Sequence, residues 1–161
     1  MDTDDTGGGE PAQDAAARAL GIAHRRMRRA ELSPLAGVVG LDRLNAWLVA
    51  ARAAAREADA DRRAAAEWLL DNDHRVRRAL RRIAEDLPPR FYQRLPALAQ
   101  EAGGSRGPPR VHALAEGLLR ASRLQMSHGL SVDFLRGYQT ASPLTIAELW
   151  ALPTMLRLVC V

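Results

Sequence analysis

Four histidines, two Asp-x-Asp strings and a run of arginines are the residues here whose types and spacing suit chemistry. His24, His74, His112 and His128 are scattered, without the paired ligands on one turn or hairpin that zinc sites use, so they read as surface or interfacial histidines. Asp59-Ala60-Asp61 and Asp71-Asn72-Asp73 have the form that grips a divalent cation, which needs clustered carboxylate oxygens. Both lie in alanine- or arginine-rich helical surroundings rather than after a strand, so they read instead as a helix cap and a solvated face. Ser122, Ser127, Ser131 and Ser142 have no glycine elbow, and Gly103-Gly104-Ser105-Arg106-Gly107 follows no strand and lacks the Lys-Ser/Thr ending of a phosphate loop. No catalytic, cofactor-binding or metal-binding residue is expected in this segment.

Arg75, Arg77, Arg78, Arg81 and Arg82 form a cationic surface on one helix, suited to an anionic partner but equally an ordinary solvated exterior tempered by Glu85 and Asp86. All 23 basic residues are arginine, and the net charge is +4. Residues 1–17 hold five acids and no base, which leaves +9 on the rest. No aromatic stacking platform or docking motif accompanies the arginines, so nucleic acid is not an expected partner. Cys160 is the single cysteine, which excludes a disulfide framework. No run of about 20 apolar residues is present; the nearest candidate, 144–161, is interrupted by Glu148, Pro153 and Arg157.

The elements that position these residues are helices, and the expected fold is all-α: an irregular multi-helix bundle behind a disordered acidic N-terminal tail, residues 1–13. Residues 14–64 read as alanine/arginine-rich helices and 65–161 as a helical domain. The first helix runs from Asp14 to Leu32 with Leu20, Ala23 and Met27 inward, and Ser33-Pro34 breaks it before Gly37 and Gly40. Between Leu41 and Leu87 there is neither glycine nor proline. Leu41, Leu44, Leu48, Ala51, Ala55 and Ala58 follow helical spacing, and the register continues through Arg62, Ala65, Leu69, Asn72, Val76, Ala79 and Ile83. A single helix of that length would span about 70 Å, so the expectation is two helices, 42–57 and 62–86, with Asp59 or Asp61 capping the second.

Asp73 falls where that second helix would accept an apolar residue. It is expected to point outward with Asn72 inward; otherwise it is buried and needs a partner such as Arg77. Leu87-Pro88-Pro89 ends the helix. A short helix is expected within Phe91–Ala102, then a loop to Pro109. A further helix spans Arg110–Ser122, with Val111, Leu114, Ala115, Leu118 and Leu119 inward. Ser131 is expected to cap the next, with Leu130 and Leu135 as a staple and Phe134, Leu135 and Tyr138 as its face. The last helix opens on a Thr145-x-x-Glu148 capping box, with Leu144 and Leu149 at staple positions. Pro153 is expected to kink it. No strand is expected. The sparse aromatics, Trp47, Trp68, Trp150, Phe91, Phe134, Tyr92 and Tyr138, are expected to be packing anchors. The chain closes on an apolar run without a helix stop, which suggests a piece of something longer.

Several strings carry a resemblance: Ala65-Ala66-Glu67-Trp68-Leu69-Leu70-Asp71-Asn72, Asp86-Leu87-Pro88-Pro89-Arg90-Phe91-Tyr92-Gln93-Arg94-Leu95-Pro96, Pro109-Arg110-Val111-His112-Ala113-Leu114-Ala115, and Pro143-Leu144-Thr145-Ile146-Ala147-Glu148-Leu149-Trp150-Ala151-Leu152-Pro153. Residues 65–161 resemble the N-terminal region of the bacterial cyclic β-1,2-glucan synthases; no such likeness is read before residue 64. The family departs from this chain by an aromatic where Asp73 stands, by a tyrosine where His112 stands, and by continuing beyond Leu158.

The resemblance implies a parent glycosyltransferase of the bacterial inner membrane that polymerises glucose from UDP-glucose, with this segment on the cytoplasmic side. None of the family's catalytic or metal-binding residues maps here. The segment alone is therefore expected to be a non-catalytic scaffold without cofactors, packing on other modules of the same synthase and meeting the membrane only through them. Its structural and interface residues would be Trp68, Phe91, Tyr92, Tyr138, Thr145, Glu148, Leu149 and Trp150. An unpaired apolar patch is expected around Leu149, Leu152, Leu156 and Val159. The alternatives are a stand-alone arginine-rich helical adaptor for an anionic partner, or a non-functional gene remnant.

Overall fold

The computed structural model describes residues 10–26, 41–99 and 106–161. They form seven α-helices and one two-stranded sheet: α1 (Glu10–Arg26), α2 (Leu41–Arg56), α3 (Arg63–Asp86), α4 (Pro89–Tyr92), β1 (Ala97–Ala99), β2 (Arg106–Pro109), α5 (Arg110–Ala121), α6 (His128–Ala141) and α7 (Ile146–Val159). The all-α class stands, and α5, α6 and α7 pack with α3 around one core that includes Ile83, Leu114, Leu118, Phe134, Tyr138 and Met155. Each fully buried leucine there contributes roughly 1.5–3 kcal/mol of transfer free energy. On α5 all five residues expected inside are buried.

The N-terminal helix starts four residues earlier than expected, so residues 10–13 are helix and not tail. Pro11 is no obstacle, because a proline in the first turn gives up an N–H that had no partner. Residues 1–9, Met27, and the break at Ser33-Pro34, Gly37 and Gly40 lie outside the described residues. On α1 the buried positions are Ala17, Gly21 and His24, while Ala23 is exposed. Small residues line the contact because α1 lies directly along α6. A Cβ added to Gly21 would stand 2.8 Å from the Tyr138 carbonyl oxygen.

The break between α2 and α3 falls where the polar stretch put it, through a 3-10 turn at Ala60–Arg62. Asp59 precedes that turn but its side chain makes no cap bond. The α3 face is rotated from the expected register: Ala66, Asp73, Leu80 and Ile83 are the buried residues. Two neighbours cause this, since α2 and α7 both pack on α3 and together cover a wider arc than one stripe.

After Leu87 the chain departs from expectation. The helix foreseen within Phe91–Ala102 is instead a single turn, Pro89–Tyr92, that starts before that window, and Pro96 keeps it from resuming by disfavouring helical geometry at Leu95. Ala97–Ala99 then pairs antiparallel with Arg106–Pro109, with an irregular register. Strands this short carry no readable alternation, and the prolines of β2 suit a sheet that is all edge. Ser127, not Ser131, caps α6 by accepting the Leu130 N–H at 3.2 Å, and Ser131 instead donates to the Ser127 carbonyl. The α7 helix runs on through Pro153 without interruption.

Candidate functional site

Arg110 opens α5 immediately after Pro109, and its side chain turns into the body of the bundle. Its Nε donates to Glu148 Oε1 at 2.8 Å and its Nη2 to Glu148 Oε2 at 2.6 Å, a bidentate pair between the first turns of α5 and α7. Nη1 donates to Ser142 Oγ at 2.7 Å and Nη2 also to the Pro143 carbonyl at 3.1 Å. Glu148 is wholly buried. Its Oε2 also accepts the Thr145 N–H and hydroxyl, both at 2.9 Å, while the Glu148 N–H donates back to Thr145 Oγ1. The expected capping box is therefore present, and its acid does a second task 38 residues away in sequence.

The polar chain continues through Ser142 to Tyr138, whose hydroxyl lies 2.9 Å from His24 Nδ1 on α1. Glu148, Arg110, Ser142, Tyr138 and His24 thus form a relay joining α1, α5, α6 and α7 in the core. Burial alone would raise the Glu148 pKa, but the Arg110 hydrogen bonds and the Thr145 N–H outweigh it and hold the carboxyl below its ordinary value. Burial opposes the Arg110 charge, and Glu148 more than offsets that, moving its pKa upward. Burial pushes the Tyr138 hydroxyl up as well. His24 moves downward, first through burial and then through repulsion from Arg110.

The Glu148 carboxylate is fully engaged by Arg110 and Thr145. Among the described residues no three His, Cys, Asp or Glu side chains converge as a metal site. Asp59, Asp61 and Asp71 are exposed.

Asp73 is buried, against the outward orientation expected, and Asn72 is half-buried with its amide on the Trp68 carbonyl. Arg77 pairs with Asp73 at 3.1 Å, and Arg52 of α2 reaches the same oxygen at 3.0 Å. The Arg52 Nε is poorly aligned, so that contact is an ion pair and not a hydrogen bond. Of the histidines, His24 is buried in the relay, and His112 does have an acid one turn on, Glu116 at 3.8 Å.

The structure brings Tyr138, Thr145 and Glu148 together around Arg110, and it buries Tyr92 in the core with Phe91 packed against it. It does not bring in the tryptophans: Trp47 is 55% exposed, Trp68 61% and Trp150 78%, so none of them anchors the core. Leu149 is exposed and Leu152 buried, with Leu156 and Val159 half-buried. The apolar surface of α7 is therefore Ile146, Leu149 and Trp150, not the patch expected further along. Sequence reasoning missed Arg110, Ser142 and His24. The available signal was an arginine following Pro108-Pro109 directly at a helix start, where the dipole disfavours a cation unless an acid is near.

The described residues thus form an all-α bundle whose buried polar groups fasten helices to one another. In sequence it is related to the cyclic β-(1,2)-glucan synthase NdvB of Rhizobium meliloti (strain 1021), with 39% identity over 111 residues. The match takes in 69% of this chain and only 4% of that relative, so the chain spans a small fraction of the relative's length. Residues 65–161 number only 97, so the likeness reaches upstream of Ala65, further than the strings alone indicate. No family model and no solved structure matches the chain. Among the described residues no helix is long and apolar enough to cross a membrane.

Proposed function

We propose that this chain is a non-catalytic N-terminal helical scaffold segment of a cyclic β-(1,2)-glucan synthase-like protein. The observation that carries the reading is the 39% identity over 111 residues to such a synthase. It is supported by the Arg110–Glu148 relay, in which buried polar groups are spent on holding four helices together. On this reading the parent polymerises glucose from UDP-glucose at the bacterial inner membrane, and this segment sits on the cytoplasmic side. Its partners are other modules of the same synthase, met through outward apolar groups such as Trp68 and Leu149, and membrane contact comes only through the parent.

The test is a replacement in the full-length synthase. Deleting the matched segment is expected to lower the amount of assembled enzyme, and inserting residues 1–161 of this chain to restore it. The purified chain alone is expected to release no UDP from UDP-glucose. Turnover by the isolated chain, or full assembly without the segment, overturns the reading.

A further inference from the structure

The last turn of α3, the α4 turn and the outer face of α7 border an open cleft of ≈ 610 Å³. That lies within the range of roughly 300–1,000 Å³ usual for small-molecule sites. Phe91, Trp150 and Pro153 supply its apolar walls, and Glu85, Asp86 and Arg157 its charges. The Asp86 carboxylate is held in place: Oδ2 accepts the Thr154 hydroxyl at 3.0 Å and Arg157 Nη1 at 3.2 Å. Thr154 itself is buried, so it fastens Asp86 to the packed body, while the Asp86 and Arg157 side chains remain 50% and 35% exposed toward the cleft. Asp86 Oδ1 and the Glu85 carboxylate have no partner among the described residues.

These groups specify a ligand chemistry. The indole of Trp150 offers a broad face whose quadrupole is negative and attracts polarised C–H bonds. Two carboxylates beside it are acceptors only, and the guanidinium is a donor only, so the rim is matched to hydroxyls, which both donate and accept. A wholly apolar ligand would cover the carboxylates without bonding them. An anionic one would meet two acids against one arginine, which disfavours a phosphate or a nucleotide sugar. A pyranose with equatorial hydroxyls fits both demands, having C–H faces and a hydroxyl edge.

We infer that this cleft binds a segment of uncharged β-linked glucan, one ring stacked on Trp150 with its hydroxyls on Asp86, Glu85 and Arg157. The ring chemistry comes from the cleft; the choice of glucose and of the β-(1,2) linkage rests on the scaffold reading above. The site would hold the polymer and not the charged sugar donor.

The test uses the 161-residue chain with linear β-(1,2)-glucohexaose, and with cellohexaose and UDP-glucose as comparisons. Saturation-transfer NMR is expected to show contact at the ring C–H protons of the β-(1,2) hexamer, with a shift of the Trp150 indole resonance and a dissociation constant on the order of 1 mM. Trp150→Ala is expected to weaken binding roughly tenfold or more at unchanged helix content, because an aromatic anchor is removed. Trp68→Ala removes an exposed indole elsewhere on the surface and is expected to change nothing.

Absence of transfer from every sugar, equal binding by Trp150→Ala, or preference for UDP-glucose overturns the cleft assignment. So does an indole shift seen only on adding other synthase modules, which would make the cleft a protein contact. Preference for cellohexaose overturns the linkage. A negative sugar titration leaves the assembly experiment intact, so the two failures are distinguishable.

Discussion

Glu148 and Asp73 are both buried carboxylates facing arginine, yet they are built into different kinds of structure. Glu148 is shut inside the body formed by α1, α5, α6 and α7, shares two bonds with Arg110, which is also buried, and closes a capping box at the same time. Asp73 lies between α2 and α3, where the Arg52 and Arg77 side chains remain 34% and 47% exposed. The body has a core that each of its helices enters, whereas α2 packs chiefly on α3 and buries only Leu48. The same pair of charges is thus a keystone in one region and a solvent-screened clasp in the other.

Arg110→Ala should give the largest effect. It strands Glu148 without its partner and is expected to cost about 3–5 kcal/mol by urea denaturation, a large share of the 5–15 kcal/mol or so that a domain possesses. The double variant Arg110→Met with Glu148→Leu should recover much of that loss. A single-variant cost near that of an exposed pair would erase the contrast between the regions. Next comes Gly21→Ala, which drives a methyl against the Tyr138 carbonyl. An overpacking cost of about 1–3 kcal/mol is expected, and NMR spectra should show the His24 ring separated from the Tyr138 hydroxyl.

Asp73→Asn should cost about 1 kcal/mol or less and be salt-sensitive, because its arginines stay partly in water. A loss as large as that of Arg110→Ala would show the clasp to be a second keystone. The acid response sharpens the same division. His24 is held below its ordinary value of 6.5, so the unfolded chain binds its proton first, and stability should fall as pH drops below about 6.5. Glu148, held below 4.5, adds a second loss as pH falls through its folded value. His24→Gln should abolish the first phase in pH-dependent denaturation and leave the second.

What can be read from the residues in advance follows this division too. The α2 stripe and the inward face of α5 are legible because helical spacing is local, and Thr145 with Glu148 is legible because a capping box spans four residues. Arg110 with Glu148 is not, since nothing local states that two helix starts 38 residues apart will meet. Asp73 misleads because a stripe tuned to one neighbour fails where α3 has two. The tryptophans mislead because hydrophobic bulk reports what a side chain is able to bury, not whether a neighbour is there to bury it. Ser127 and Ser131 are one turn apart, and both are plausible caps until the chain path selects one.

Glu148 has a consequence for how this chain can drift. Glutamine at 148 would keep the reach to Thr145 but forfeit the charge that Arg110 requires. Aspartate would keep the charge and fall one methylene short of both partners. Any apolar residue would leave a guanidinium stranded in the core. The position has in effect a one-letter vocabulary, and single-step mutation has no neutral exit from it. Change there must arrive in pairs, with residue 110 rewritten in the same stroke.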